Sequence, residues 1–210
     1  MSIPQLSRRT VLQSVAAGTA GLMFPFPSKS EDPNALQKSS LGLVQYCCQF
    51  RRKHLQKQTP DFDLYEPKNF VKHCQDVGAG GAQIRLGAQL DEGIKNLREQ
   101  VEKAGLYLEA IVTAPRDKKD LLRFDLEMAT ARYAGAIAAR TTIIPGRRYE
   151  FFSSLEMFKE YETLARKSLE LATPVAEQHR IPLAVENHKG HRDEERVALF
   201  KAISSEYVGA

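Results

Sequence analysis

The chain has 210 residues, of which 42% are hydrophobic and 27% are charged. This length and balance indicate a folded domain with its own core and exclude a wholly disordered chain. The formal net charge is +4, but residues 1–30 hold three basic and no acidic side chains, and residues 31–210 hold 27 basic and 26 acidic ones. A near-neutral body lacks the broad basic surface that nucleic-acid binding requires, so we expect no nucleic-acid partner.

The first thirty residues predict an export signal. Arg8 and Arg9 precede a mildly apolar stretch rich in alanine and glycine, residues 11–24, and Pro25 and Pro27 end it. A positive segment followed by a short apolar one is typical of a secretory signal. The paired arginines resemble a twin-arginine signal, which exports proteins that are already folded. The alternative is an ordinary N-terminus with a chance arginine pair.

This pattern divides the chain into a signal peptide at 1–30, a linker at 31–40 and one domain at 41–210. We therefore expect an exported protein. It would lie in the periplasm, or the leader would tether it at the outer face of the cytoplasmic membrane.

Strand and helix patterns alternate beyond residue 40. The predicted strands are 41–47, 82–86, 106–112, 137–144 and 181–187, and a sixth begins at 207. The predicted helices are 67–77, 91–104, 117–134, 154–179 and 193–203. Strands separated by amphipathic helices predict parallel pairing with right-handed crossovers.

Two α/β architectures fit this alternation, an open doubly wound sheet and a β/α barrel. The glycine-rich segment 78–81 precedes a strand instead of opening a helix, so a dinucleotide-binding turn is missing. That absence favours the barrel. A complete barrel needs roughly 250 residues. We therefore predict an incomplete (β/α)8 TIM barrel with about five β-α units and the start of a sixth strand.

The strongest candidate for a functional group follows the fifth predicted strand. Glu186 comes directly after Leu-Ala-Val, and alternation places His188 on the same side. A carboxylate is costly to bury there without a metal ion or a cationic partner. With a metal, Glu186 would act as a ligand and move a proton next to a carbonyl, while His188 would donate to a substrate oxygen. The alternative is an ion pair with a neighbouring lysine or arginine.

Four further residues are candidates for substrate binding. Glu109 lies inside a strand, and Arg85 is placed to face the same cavity, although an ion pair between the two is an equal alternative. Arg147 follows a strand end, where it would bind an anionic or hydroxyl-rich substrate unless it belongs to a solvated charged loop. Lys189 stands just before a helix N-terminus, which favours anions.

The segment at 181–189, Ile-Pro-Leu-Ala-Val-Glu-Asn-His-Lys, resembles the sugar phosphate isomerase/epimerase family. That family comprises TIM barrels related to xylose isomerase and to endonuclease IV. The resemblance extends through residues 41–47, 77–84 and 146–150, and the leader is similar to that of exported members. It implies a divalent metal, Mn²⁺, Mg²⁺, Co²⁺ or Zn²⁺, held by Glu, Asp, His and Glu on strands five to eight. Glu186 matches the first ligand, and the chain ends before the other three.

The resemblance implies a metal-dependent isomerase or epimerase that moves a proton next to the carbonyl of a small sugar through an enediolate. Glu186 would be ligand and base. With three ligands beyond residue 210, it predicts weak metal retention and impaired activity. The alternatives are a non-catalytic remnant or binding module, and a metal-dependent endonuclease, which the near-neutral charge disfavours. Open sheet edges also predict association with a second copy.

Overall fold

A computed structural model describes residues 40–210, so the predicted leader and nearly all of the linker lie outside the described residues. Six strands and seven α-helices alternate within this range. The strands are β1 (Gly42–Val44), β2 (Gly81–Arg85), β3 (Tyr107–Ile111), β4 (Ala138–Thr141), β5 (Leu183–Val185) and β6 (Val208–Gly209). The helices are α1 (Gln49–Gln58), α2 (Pro67–Asp76), α3 (Glu92–Ala104), α4 (Leu121–Tyr133), α5 (Arg148–Phe151), α6 (Leu155–His179) and α7 (Asp193–Ile203).

The described strands form one parallel sheet in which every strand pairs with its neighbour in the sequence, from β1 to β6. This sequential order with helical crossovers is that of a β/α barrel, whereas a doubly wound sheet reverses its order at a switch point. The predicted α/β barrel architecture, with five β-α units and a sixth strand, is confirmed. None of the helices in residues 40–210 is both long and apolar enough to span a membrane.

The first predicted strand, 41–47, is too long. Strand β1 ends at Val44, and a 3-10 turn over Gln45–Cys48 leads into α1, which the sequence analysis did not predict. Gln45 is buried at this point; its amide donates to the Tyr65 carbonyl at 2.7 Å and accepts from the Arg85 N–H at 3.0 Å. These hydrogen bonds fix the chain as it leaves the sheet.

Side-chain caps account for two helix starts. Asp91 accepts a hydrogen bond from the Ile94 N–H at 3.1 Å, so α3 begins one residue after the predicted start. Ser154 caps α6 by accepting from the Met157 N–H at 3.2 Å. The predicted strand 137–144 shortens to β4, because the chain beyond it forms the loop that leads to the unpredicted short helix α5.

The hydrophobic core lies between the sheet and the helices. Alternate strand residues face it, and they are buried: Ala82, Ile84, Leu108, Ala110, Ala139, Leu183 and Val185. The helices contribute Phe70, Ile94, Leu97, Phe124, Met128, Phe158 and Leu169 from their apolar faces. Because strand side chains alternate, the residues between these, such as Gln83, Glu109 and Arg140, must face the opposite side, which we call the inner face of the sheet.

Tyr107 closes the amino-terminal end of the inner face. Its side chain lies against Gly42 on β1 and Gly81 on β2, and a Cβ atom at either glycine would overlap the tyrosine side chain. At Gly81 the added Cβ would overlap the Cγ and Cδ2 atoms of the Tyr107 ring. These atoms can move away only if the tyrosine changes rotamer. The two glycines therefore make room for Tyr107.

Asp120 anchors the loop that follows β3. Its buried carboxylate accepts from the Arg116 N–H at 3.0 Å and from the Arg123 Nε and Nη2 atoms, both at 2.8 Å. The hydrogen bonds from Arg123, followed by the one from the Arg116 backbone, lower the pKa of Asp120 well below its usual value. The loop next to the inner face is thus held by an ionised carboxylate.

We expect Gly81→Ala to lower the free energy of unfolding by about 1–3 kcal/mol, because Tyr107 must move. Gly209→Ala is the matched control, since a Cβ there meets nothing within 4 Å. Urea unfolding of both variants measures the difference. When Tyr107 is also replaced by alanine, Gly81→Ala should cause almost no further loss in the free energy of unfolding. An equal loss with and without Tyr107 would contradict the packing of the tyrosine against Gly81.

We expect Asp120→Asn to lower the free energy of unfolding at pH 7. The difference from the wild type should become smaller as the pH is lowered. Because the pKa of Asp120 is lower in the folded protein than in the unfolded chain, its ionised carboxylate stabilises the fold at pH values above the unfolded pKa of about 3.9. This stabilisation is lost as the pH falls from that value towards the folded-state pKa. Urea unfolding between pH 7 and pH 3 measures the trend, with the exposed Asp61→Asn as control. A difference between wild type and Asp120→Asn that stays constant across this range would rule out the linkage.

Candidate functional site

Strand register places the polar side chains of the inner face in two rows. In the lower row, Val44 pairs with Gln83 and Gln83 pairs with Glu109. The Gln83 side-chain amide donates to Glu109 Oε2 at 2.7 Å. The Glu109 carboxylate therefore contacts a neutral amide on the neighbouring strand.

The upper row, nearer the carboxyl ends of the strands, carries two arginines. Arg85 on β2 pairs in register with Ile111 on β3, and Ile111 pairs with Arg140 on β4. Arg85 donates to the Thr113 hydroxyl at 3.1 Å instead of forming the predicted alternative ion pair with Glu109. Two arginines therefore lie at the same level of the sheet, with strand β3 between them.

Glu186 and Arg140 form an ion pair across the last part of the inner face. The Glu186 N–H donates to the Thr141 carbonyl at 2.8 Å, which continues the β4–β5 ladder by one residue. Both side chains are about one-third exposed, at 35% for Glu186 and 28% for Arg140. The open alternative for Glu186, a neighbouring cationic partner, is the arrangement found.

Arg140 is not among the site residues predicted from the sequence, although the sequence contains a signal that it lies on the inner face. It is an arginine within a strand whose other members are alanine and threonine, and alternation directs it away from buried Ala139 and Thr141. Burial lowers the pKa of Arg140, and the positive charge of Arg85 lowers it further. An arginine remains protonated under such shifts, so Arg140 supplies a fixed positive charge.

Glu186 and His188 line the same cavity, which has a volume of about 710 Å³. Gln83 and Arg140 also line it, and Val44 forms part of its far wall. The cavity thus draws on β1, β2, β4 and β5, and Glu186 and His188 follow the carboxyl end of β5, which is where β/α barrels place their chemistry. Its size is that of a small-molecule site.

The other predicted site residues lie outside the lining of this cavity, and these include Arg85, which is exposed and does not face it as predicted. Glu109 lines a smaller adjoining cavity of about 240 Å³, which also borders Gln83. Arg147 lies at the surface and contacts Glu150 at 2.8 Å, as the solvated-loop alternative proposed. Lys189 has a left-handed backbone, with φ of 61°, and lines a different cavity beside α6 and α7.

The described residues do not by themselves form a divalent metal site. No group of three or more His, Cys, Asp or Glu side chains in residues 40–210 is arranged to hold an ion. The Glu186 carboxylate contacts Arg140, whose positive charge opposes a cation at the same position. The metal implied by the family resemblance therefore does not fit the residues present.

No protein-family model matches the chain, and no curated protein matches it. Similar solved structures include D-psicose 3-epimerase with D-tagatose from Clostridium cellulolyticum H10, at 13% identity and a TM-score of 0.58, over 81% of this chain and 62% of that one. The 3-keto-D-glucoside 4-epimerase of E. coli gives 13% identity and a TM-score of 0.55, over 81% of this chain and 66% of that one.

A protein from Anabaena variabilis provisionally named a sugar phosphate isomerase/epimerase is also similar, at 16% identity and a TM-score of 0.55. The alignment covers 82% of this chain and 63% of that one. The chain thus spans less than two thirds of the length of each of these structures. At such identities the likeness establishes a shared TIM-barrel fold.

We expect the purified chain to retain no stoichiometric Mn²⁺ after equilibrium dialysis, and we expect Glu186→Gln to leave the metal content unchanged. The reason is the Arg140 guanidinium beside the only predicted ligand. Elemental analysis of the dialysed protein provides the measurement. One equivalent of Mn²⁺ in the wild type that disappears in Glu186→Gln would show that the carboxylate is a ligand after all.

Proposed function

We propose that this chain acts on a small sugar as an isomerase or epimerase, with its chemistry at the inner face of the sheet. The observation that carries the proposal is the Arg140–Glu186 pair in the 710 Å³ cavity at the carboxyl ends of the strands. The names of the structural neighbours, two epimerases and a provisional isomerase/epimerase, support the same reaction class.

The proposed chemistry begins with proton transfer from the carbon next to a sugar carbonyl. Glu186 takes the proton, the C–H electron pair forms a carbon–carbon double bond, and the carbonyl oxygen gains negative charge. Arg140, which loses its ionic partner as Glu186 becomes neutral, stabilises that oxygen. Delivery of a proton from water to the opposite face of the double bond, with the proton on Glu186 lost to solvent, gives an epimer. Return of the proton from Glu186 to the former carbonyl carbon, with the proton of the neighbouring hydroxyl passing to the former carbonyl oxygen, gives an isomer.

Polar side chains would position the sugar. His188 and the Gln83 amide line the same cavity as the ion pair and offer hydrogen bonds to hydroxyl groups. Since a sugar presents many hydroxyls, a few directional partners suffice to set its orientation. No step is assigned to a metal ion, because the described residues do not fit one.

A non-catalytic sugar-binding module is the second candidate. The observation that favours it is the completed pairing of the inner face, where Glu186 contacts Arg140 and Glu109 accepts from Gln83. Such a face would bind hydroxyl groups through its remaining hydrogen-bonding capacity without releasing a base. The two candidates differ in whether a bound sugar exchanges a carbon-bound proton with solvent.

Proton exchange in D₂O separates the two candidates. Each member of a panel of ketoses, aldoses, keto-glycosides and their phosphates is incubated with the chain, and loss of the proton next to the carbonyl is followed by NMR. We expect exchange on at least one sugar, with Glu186→Gln slower by about 100-fold or more. Glu102→Gln, on the exposed surface of α3, is the matched control and should be unaffected.

Two outcomes would count against the enzyme proposal. Exchange that is equally fast in Glu186→Gln would remove Glu186 from the chemistry. Sugar binding detected by line broadening, with no exchange on any member of the panel, would favour the binding module instead.

A further inference from the structure

A second cavity, of about 460 Å³, lies between the segment that follows β4 and the segment that follows β5. We call it the basic cavity, because Arg148, Lys189 and Arg192 line it and none of its described lining residues is acidic. It sits beside the amino-terminal ends of α6 and α7. It is distinct from the inner-face cavity, with which it shares none of its lining residues.

Arg148 forms a fixed wall of the basic cavity. Its Nη1 atom contacts both carboxylate oxygens of Glu195, at 3.0 and 3.1 Å, and its guanidinium lies 3.6 Å from the centre of the Phe158 ring. The Glu195 carboxylate also accepts from the Arg192 N–H at 2.8 Å, which caps α7. Glu195 is therefore committed to Arg148 and to the backbone.

Lys189 and Arg192 provide charge that no carboxylate neutralises. Neither side chain has an ion-pair partner among residues 40–210, and both are exposed at the cavity. His191, the basic residue between them, is buried, and its Nε2 atom lies 3.1 Å from Glu162 behind the cavity. Glu195 and Glu162 thus contact Arg148 and His191, and no acidic side chain of the described residues lines the cavity itself, although Asp193 and Glu194 follow Arg192 on α7 and Glu156 contacts Ser154.

Hydroxyl groups complete the lining. Ser153, Ser154 and Tyr149 border the cavity opposite Lys189. The Ser154 oxygen accepts from the Met157 N–H, and the Ser154 hydroxyl also hydrogen-bonds to the Glu156 carboxylate. The Ser153 hydroxyl contacts the Met157 sulfur at 3.2 Å. The 25-residue helix α6 begins immediately after Ser154, with the positive end of its dipole at this point.

We propose that the basic cavity binds the phosphate group of a small phosphorylated molecule. The Lys189 ammonium and the Arg192 guanidinium, together with the amino-terminal end of α6, suit a phosphate, which carries nearly two negative charges and three terminal oxygens. A single carboxylate offers one negative charge and two oxygens, so it would engage fewer of these groups. The proposal goes beyond the inner-face chemistry and does not depend on it.

Isothermal titration with inorganic phosphate and with glucose 6-phosphate tests the proposal, with glucose and gluconate as comparison ligands. We expect both phosphates to bind and glucose and gluconate to bind far more weakly. The double variant Lys189→Gln/Arg192→Gln should weaken phosphate binding about tenfold or more. Lys201→Gln, an exposed lysine on α7 outside the cavity, is the matched control and should bind as the wild type does.

A second measurement uses only the wild-type protein, so its result does not depend on whether the double variant folds correctly. Phosphate should protect Lys189, but not Lys201, from acetylation detected by mass spectrometry. Undiminished phosphate affinity in the double variant, equal affinity for gluconate, or unprotected Lys189 would each overturn the proposal. Glu186→Gln should leave phosphate binding intact, so a failure of the inner-face chemistry is distinguishable from a failure here; loss of phosphate binding in that variant would contradict the location.

Discussion

The contact between Arg140 and Glu186 is the interaction on which the inner face depends. Strands β4 and β5 are neighbours because the sheet follows the order of the sequence, and their register brings Arg140 on β4 close to Glu186, the residue that follows β5. Removal of either partner would leave a partly buried charge without compensation. The ion pair holds the Glu186 carboxylate in the cavity, where it can act as a base, and the positive charge of Arg140 opposes the binding of a metal cation at the same position.

The sequence predicted the elements whose signals are local, such as the amphipathic helices α3 and α6. It missed α1, because no residue of that helix is buried and its surface lacks an apolar stripe. It also missed Arg140, since the importance of that residue arises from a neighbouring strand more than forty residues away. Register between strands is a tertiary property, which periodicity within one strand does not determine.

The turn after β5 connects the two cavities. Asn187 holds this turn by donating to the His191 carbonyl at 2.9 Å and by accepting from the N–H groups of Gly190 and His191, both at 3.1 Å. With the turn fixed, His188 lines the inner-face cavity and Lys189 lines the basic cavity. One short segment therefore presents adjacent residues to two different sites.

A double-mutant cycle on Arg140→Met and Glu186→Gln tests the central claim most directly, with the free energy of unfolding measured in urea. If the two side chains contact each other on the inner face, the loss of unfolding free energy in the double variant should differ from the sum of the two single losses by about 1 kcal/mol. Strictly additive effects would mean that these side chains do not contact each other, and the arrangement on which the site is built would be wrong.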